Sequence, residues 1–138
     1  MPHIVVTVLE GISTEQKKGM AKDITIAVAK NFRLPLEMVS KELEFIEIPL
    51  ENFAPAVELT PDNPPPPIKY ISINVIQGRT LEQKRGIARD VTAAVAKHLR
   101  IPIDSKEIAV EIVEVKPENI AHGGVLTRDM EFPIGLQE

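Results

Sequence analysis

The sequence contains no cysteine and no tryptophan, and its 138 residues include only four phenylalanines and one tyrosine. Without cysteine there can be no disulfide, no thiolate nucleophile and no cysteine-based zinc site. So few aromatic side chains offer no base-stacking surface, and the net charge of −4 opposes non-specific binding to phosphates. Nucleic acid is therefore not the expected partner.

Long apolar runs are also absent. No stretch approaches the roughly 18 apolar residues of a membrane helix, and no basic segment precedes an apolar run at the start. The 43% of hydrophobic residues is ordinary for a globular domain. We expect a folded cytoplasmic protein without a membrane partner.

The sequence does contain an internal repeat. A shift of 67 residues aligns residues 4–55 with residues 71–122 without a gap, and 21 of the 52 pairs are identical. Fourteen of these identities lie in the 25 pairs from Gly11/Gly78 to Pro35/Pro102. This density indicates a duplication, so both halves should share one local structure.

Each half begins and ends with the pattern of a β-strand. The β-branched runs at 3–9 and 69–76 predict strands of the buried kind. At 43–48 and 109–115, apolar and acidic residues alternate, which is typical of a half-exposed strand.

A helix is predicted between the two strands of each half. Ser13 with Gln16, and Thr80 with Gln83, match the capping box that starts a helix. Prolines are expected to end both helices. Apolar residues at every fourth position predict one buried stripe per helix, formed by Met20, Ile24, Val28 and Phe32 and by Ile87, Val91, Val95 and Leu99.

The predicted fold is therefore an α/β (α+β) arrangement of two tandem β-α-β units. Each unit should pair its strands in parallel through a right-handed crossover, and the units should join into one four-stranded sheet with both helices on one face. Apolar residues on both sides of that sheet would leave its second face uncovered, which predicts association with identical copies.

The chain is predicted to be a single fused domain in three segments. Residues 1–57 form the first unit, 58–68 a proline-rich linker, and 69–138 the second unit. The glycine pair at 123–124 predicts a turn into a C-terminal hairpin.

Residues of the usual reactive kinds are scarce. Three scattered histidines give no convincing metal site, and no nucleotide-binding or nucleophile-elbow motif occurs, so we expect neither metal nor cofactor. The repeated carboxylates are interpreted as a solvated sheet face; they are Glu44/Glu111 and Glu47/Glu114.

The residue at position 2 differs in kind between the repeats. Pro2 aligns with Lys69. If Met1 is removed, Pro2 presents a secondary amine, which nearby cations and an apolar pocket would make a proton acceptor near neutral pH.

The sequence resembles the 4-oxalocrotonate tautomerase family. The resemblance rests on P-x-I-x-V-x-V-L-E-G at 2–11, S-T-E-Q-K at 13–17, and the segment from Glu114 to Asn119 before Gly123-Gly124. It implies a fused, double-length member that assembles as a homotrimer and acts on a small carboxylate substrate.

The family's functional residues carry over in part. The resemblance implies that Pro2 is the catalytic proline and that Arg79, whose mate is Ile12, binds the substrate carboxylate. A second-strand arginine of the family falls at Glu42 in one unit and at Ala109 in the other, and Lys41 and Lys106 are the candidates to replace it. The pocket's aromatic wall aligns with Phe53 and Ile120, and Ile76 is a further candidate for contact with substrate.

Three functions remain open at this point. The first is a tautomerase or isomerase that moves a proton in small enol or unsaturated 2-oxo acids. The second is a hydratase, dehalogenase or decarboxylase of a three-carbon acid, which would need acidic or histidine partners to activate water. The third is a non-catalytic trimeric binding or structural protein.

Overall fold

The computed structural model describes residues 1–130, so the last eight residues of the predicted second unit lie outside them. Its main elements come in the order β1 (His3–Leu9), α1 (Thr14–Phe32), α2 (Leu36–Val39), β2 (Leu43–Ile48), β3 (Ile68–Ile76), α3 (Leu81–Leu99) and β4 (Val110–Val115), followed by the short strands β5 (Ala121–His122) and β6 (Val125–Leu126). Single 3₁₀ turns occupy Leu50–Asn52, Pro117–Asn119 and Thr127–Asp129.

The four long strands form one sheet in the order β2-β1-β3-β4. β1 pairs in parallel with β2, and β3 pairs in parallel with β4, as two β-α-β units require. The units meet through antiparallel pairing of β1 with β3, in which His3 lies opposite Asn74. The duplicated β-α-β fold is therefore confirmed.

Both long helices cover one face of this sheet and bury the predicted stripes. Met20, Ile24, Val28 and Phe32 of α1 have no exposed surface, and their counterparts in α3 are also buried. They enclose the core with the inward residues of β1 and β3. Each fully buried aliphatic side chain contributes about 1.5–3 kcal/mol to folding.

The helix starts follow the prediction, while the helix ends do not. Ser13 and Thr80 cap α1 and α3 with complete capping boxes. Each helix then ends at an arginine in the left-handed conformation, Arg33 (φ 54°) or Arg100 (φ 56°), two residues before the proline. In the first unit Pro35 precedes the short helix α2, which the sequence patterns did not predict.

The helices contact each other through matched polar pairs. Nε2 of His98 lies 2.6 Å from Oδ2 of Asp23, and Nδ2 of Asn31 donates to Oδ2 of Asp90 at 2.9 Å. These four residues are related by the 67-residue repeat. The helix pair therefore has an approximate twofold relation that follows from the duplication.

β1 was predicted as a strand of the buried kind, but in a single chain only its helix-side residues are buried. Its half-buried residues alternate with them on the face that no helix covers, where His3 and Thr7 stand beside Val5. Ile46 and Tyr70 are 49% and 42% exposed.

Candidate active site

Pro2 and Arg79 lie at the same end of the sheet. Pro2 is buried and directly precedes β1. Because β3 runs antiparallel to β1, the end of β3 lies beside the start of β1, and Arg79 follows β3 by three residues. The fold therefore brings the predicted proline of the first unit and the predicted arginine of the second unit to the same end of the sheet.

The Arg79 side chain is buried, with 7% of its surface exposed. Its Nη1 donates to the backbone carbonyl of Phe32 at 3.1 Å, and its Cζ lies 5.4 Å from the centre of the Phe32 ring. Nε and Nη2 are also buried and have no hydrogen-bond partner. Burial lowers the pKa of Arg79, and the Glu114 carboxylate opposes that shift.

The end of α1 supplies the carbonyl that Arg79 uses. The last four carbonyls of a helix lack partners within the helix and carry its negative dipole end. Phe32 is the last residue of α1, and the left-handed Arg33 turns the chain away immediately after it. A buried cation is favoured at this position, and the Nε and Nη2 nitrogens of Arg79 are left without a hydrogen-bond partner.

Glu114 borders the loop that carries Arg79 and is exposed, as the prediction of a solvated position requires, but it lies on the helix side of the sheet and not on the open face. Its Oε2 accepts from the backbone N–H of Gly78 at 3.2 Å, and Oε1 contacts Nζ of Lys84. Glu47 likewise contacts Lys17 of the first helix. Both carboxylates lie on the helix side of the sheet, since Glu47 pairs with the inward Val8 and Glu114 with the inward Val75.

A histidine and two carboxylates lie beside Pro2, and no pattern in the sequence predicts them as a group. Nε2 of His3 lies 2.9 Å from Oε1 of Glu44, and Nδ1 lies 3.8 Å from Oε2 of Glu42. The Ile4 N–H donates to the Glu42 carbonyl at 2.8 Å, which fixes β2 beside this end of β1. The position of His3 next to Pro2 was the available signal, but the pairing of the strands was needed to find its partners.

The apolar candidates are divided between the two ends of the sheet. Ile76, at the end of β3, is fully buried, and Ile120 follows β4, which runs parallel to β3. Both therefore belong to the Pro2 end. Phe53 does not: it follows β2 and lies at the opposite end of β1. Within one chain, Phe53 is therefore not part of the Pro2 end, and its contact with substrate stays a prediction.

Phe53 instead contacts the repeat mate of Pro2. Nζ of Lys69 lies 5.2 Å from the centre of the Phe53 ring. Lys69 is at the start of β3, next to the end of β1, so this is the position that the repeat assigns to a second site. The mate of Arg79 there is Ile12, a partly buried residue packed against the core. The two ends of the sheet are thus chemically unequal.

Neither a metal-binding cluster nor a membrane-spanning helix occurs among the described residues. Residues 1–130 contain no group of three or more His, Asp or Glu side chains arranged to hold a metal ion. Within the same range, no helix has the length and apolar character to cross a membrane. A groove of about 730 Å³ lies between the start of α1 and the end of α3, away from Pro2, and is lined by Ser13, Glu15, Gln16, Lys97, His98 and Arg100.

Comparison with known proteins gives consistent matches. The family model described as "Tautomerase enzyme" matches residues 70–130. A probable tautomerase of Listeria monocytogenes is 33% identical over 61 residues, which are 44% of this chain and 97% of the relative. An asymmetric trimer of a fused 4-OT has a TM-score of 0.78 at 24% identity, covering 92% of this chain and 97% of that chain.

Two further solved structures have the same fold. One is Pt0534 inactivated by 2-oxo-3-pentynoate, with a TM-score of 0.79, 22% identity and coverage of 94% of this chain and 99% of that chain. The other is N1, a member of the cis-3-chloroacrylic acid dehalogenase family, with a TM-score of 0.64, 24% identity and coverage of 91% and 82%.

The sheet, the helix pair and these matches define a duplicated α+β protein with the fused 4-OT fold. The chain belongs to the tautomerase family.

Proposed function

We propose that the protein is a tautomerase that moves a proton within small enol or unsaturated 2-oxo acids, without a cofactor. The observation that carries this proposal is the buried Arg79, whose Nε and Nη2 have no partner, at the same sheet end as Pro2. A buried guanidinium with free donors is suited to a carboxylate ligand, which accepts charge-assisted hydrogen bonds.

In the proposed mechanism, Pro2 acts as general base and then as general acid after Met1 has been removed. Its neutral secondary amine accepts the proton of the enol hydroxyl, and the resulting ammonium returns a proton to carbon, which gives the 2-oxo isomer. Arg79 binds the carboxylate and stabilises the negative charge that develops on the oxygen. Its positive charge also disfavours the ammonium form of Pro2.

The proposal includes self-association as a homotrimer. The fused 4-OT neighbour is a trimer. In this chain, Ile46 and Tyr70 are exposed on the sheet face that no helix covers. Sedimentation at micromolar concentration tests this, and a monomer would contradict it.

The main experiment requires protein shown by intact mass to lack Met1. We expect an enolic 2-hydroxydienoate to isomerise to its 2-oxo form, followed by ultraviolet absorbance, and Pro2→Ala and Arg79→Ala to abolish the rate above background. Lys69→Ala is the matched control, since Lys69 is the repeat mate of Pro2, and it should retain the rate. No turnover by processed protein would refute the tautomerase proposal and favour a non-catalytic binding protein.

A covalent probe tests the amine directly. The alkynone 2-oxo-3-pentynoate carries a carboxylate and a triple bond conjugated to a ketone, so an amine nitrogen adds to that bond and its proton moves to carbon. We expect one adduct per chain, on the peptide that begins with Pro2, and slower labelling of Arg79→Ala. Protein that retains Met1 should remain unlabelled there, because its Pro2 nitrogen is an amide.

The His3 cluster favours a second candidate, the hydrolytic dehalogenation of a three-carbon acid. His3 and Glu44 together have the chemistry to take a proton from water, and they lie beside Pro2. The N1 neighbour belongs to the cis-3-chloroacrylic acid dehalogenase family. Chloride release from cis-3-chloroacrylate that disappears in both His3→Ala and Glu44→Gln would support this candidate, whereas absence of chloride release would exclude it.

A further inference from the structure

The turn before Arg79 is held by one carboxylate. Gly78 has φ +112°, a conformation that side chains other than glycine rarely adopt. Its N–H donates to Oε2 of Glu114, while Oε1 of Glu114 contacts Lys84 in the first turn of α3. Glu114 thus connects β4, the turn and the start of α3.

The repeat shows that this bond is not needed to form the turn. Gly11 has nearly the same φ, +110°, and Glu47 and Lys17 make the equivalent ion pair. Among the hydrogen bonds of the described residues, however, none joins Glu47 to Gly11. The additional bond therefore occurs in the unit whose turn leads to an arginine, and is missing where the turn leads to Ile12.

Glu114 also compensates the charge of Arg79 without occupying its donors. It opposes the lowering of the Arg79 pKa by burial, and Lys84, Gly78 and Arg79 together lower the pKa of Glu114. Yet Nε and Nη2 of Arg79 make no hydrogen bond to it. A direct bidentate pair would have consumed the N–H groups that a substrate needs.

We propose that Glu114 is a positioning residue, which holds the Gly78 turn so that the free N–H groups of Arg79 face the substrate carboxylate near Pro2. This inference rests on the proposed function. It concerns the set of groups around Arg79 and assigns Glu114 no contact with substrate.

Three variants separate positioning from general stabilisation. Glu114→Ala removes both contacts and should raise KM for the 2-hydroxydienoate at least about tenfold, the lower end of what loss of an outer partner costs at metal-binding sites. Glu114→Gln keeps an oxygen for the Gly78 N–H and should recover most of that loss. Glu47→Ala removes the matching ion pair of the first unit and should leave KM unchanged.

A double-variant cycle supplies the second kinetic criterion. If Glu114 acts through Arg79, Glu114→Ala should have little further effect on kcat/KM in an Arg79→Lys background, where residual activity remains measurable. The proposal would be overturned if the effects of Glu114→Ala and Arg79→Lys on kcat/KM were fully additive. It would also be overturned if Glu47→Ala raised KM as much as Glu114→Ala does.

A spectroscopic measurement keeps the inference independent of turnover. The Nε–H resonance of Arg79, assigned by its loss in Arg79→Lys, should shift or broaden in Glu114→Ala, recover in Glu114→Gln and stay unchanged in Glu47→Ala. If the wild-type protein shows no turnover, the proposed function is refuted. The Nε–H resonance of Arg79 then still tests whether Glu114 positions the arginine. A resonance unchanged in Glu114→Ala would refute the positioning role itself.

Discussion

The backbone carbonyl of Phe32 accepts a hydrogen bond of 3.1 Å from Nη1 of Arg79, which joins the last turn of the first long helix to the loop after β3. The two residues come from different units, 47 positions apart. The first unit therefore supplies both Pro2 and the carbonyl that holds the second unit's arginine. The first unit has Ile12 where the second unit has Arg79. Because Ile12 lies at the other end of the sheet, this difference does not affect the contact between Phe32 and Arg79.

Arg79 should reduce stability while it supports function. We expect Arg79→Met to raise the free energy of unfolding by about 1 kcal/mol, because it removes a buried charge with two unpartnered nitrogens and keeps an apolar side chain of similar length. The same variant should lower kcat/KM at least about tenfold through the lost carboxylate contact. Urea denaturation and the isomerase assay measure the two effects.

The control for that comparison is Arg89→Met, which changes an exposed arginine on α3. It should shift the free energy of unfolding by less than about 0.5 kcal/mol and leave turnover unchanged. A loss of more than about 2 kcal/mol in Arg79→Met would show that the Phe32 contact outweighs the cost of burial.

Stability should fall in acid partly through Asp23. Its hydrogen bond with His98 holds the pKa of Asp23 below its ordinary value of about 3.9, against the opposing effect of burial. Because the folded-state pKa is depressed, this contribution is present above about pH 3.9 and is lost as pH falls through the lower folded value. Asp23→Asn should therefore flatten the fall of the urea midpoint below about pH 4.

An exposed carboxylate of the linker provides the comparison for Asp23. Asp62→Asn, at a position outside the helix contact, should keep the wild-type dependence on pH. If Asp23→Asn and wild type lose stability in parallel across the acid range, the contact with His98 does not contribute as described.

The duplication made much of the fold predictable from sequence. Capping boxes at Ser13 and Thr80, apolar residues at every fourth position and period-2 strands are local patterns, and local patterns determined these elements correctly. The helix ends were less predictable. Arg33 and Arg100 adopt a conformation that is uncommon outside glycine, and no residue type in the sequence signals it.

The site was only half predictable, because its composition depends on strand pairing. The resemblance indicated Pro2 and Arg79, and antiparallel pairing of β1 with β3 brings them to the same end of the sheet. Parallel pairing of β1 with β2 places Phe53 at the other end, which an alignment of the repeats does not reveal. Glu111 and Glu114 were assigned together to one sheet face, but residues three apart on a strand point to opposite faces, so Glu114 lies on the helix side.

The left-handed arginines give a prediction about stability alone. Arg100→Gly should raise the free energy of unfolding by about 0.5–1 kcal/mol, because glycine adopts this conformation without the Cβ clash, although its unfolded chain is more flexible. Lys22→Gly, at an exposed position within α1, should lower it by about 1 kcal/mol. Thermal denaturation of both variants tests the prediction, and a loss in Arg100→Gly would contradict it.

The helix pair should be sensitive to a single methyl group at Gly19. A Cβ at this position would overlap the His98 ring, which its hydrogen bond to Asp23 holds in place. We expect Gly19→Ala to lower the free energy of unfolding by about 1–3 kcal/mol, even though alanine favours a helix over glycine by about 1 kcal/mol. Adding His98→Ala removes the overlap, so the double variant should be more stable than Gly19→Ala alone. If both single variants and their combination are simply additive, the methyl group and the imidazole do not compete for this space, and the close approach of α1 to α3 has another cause.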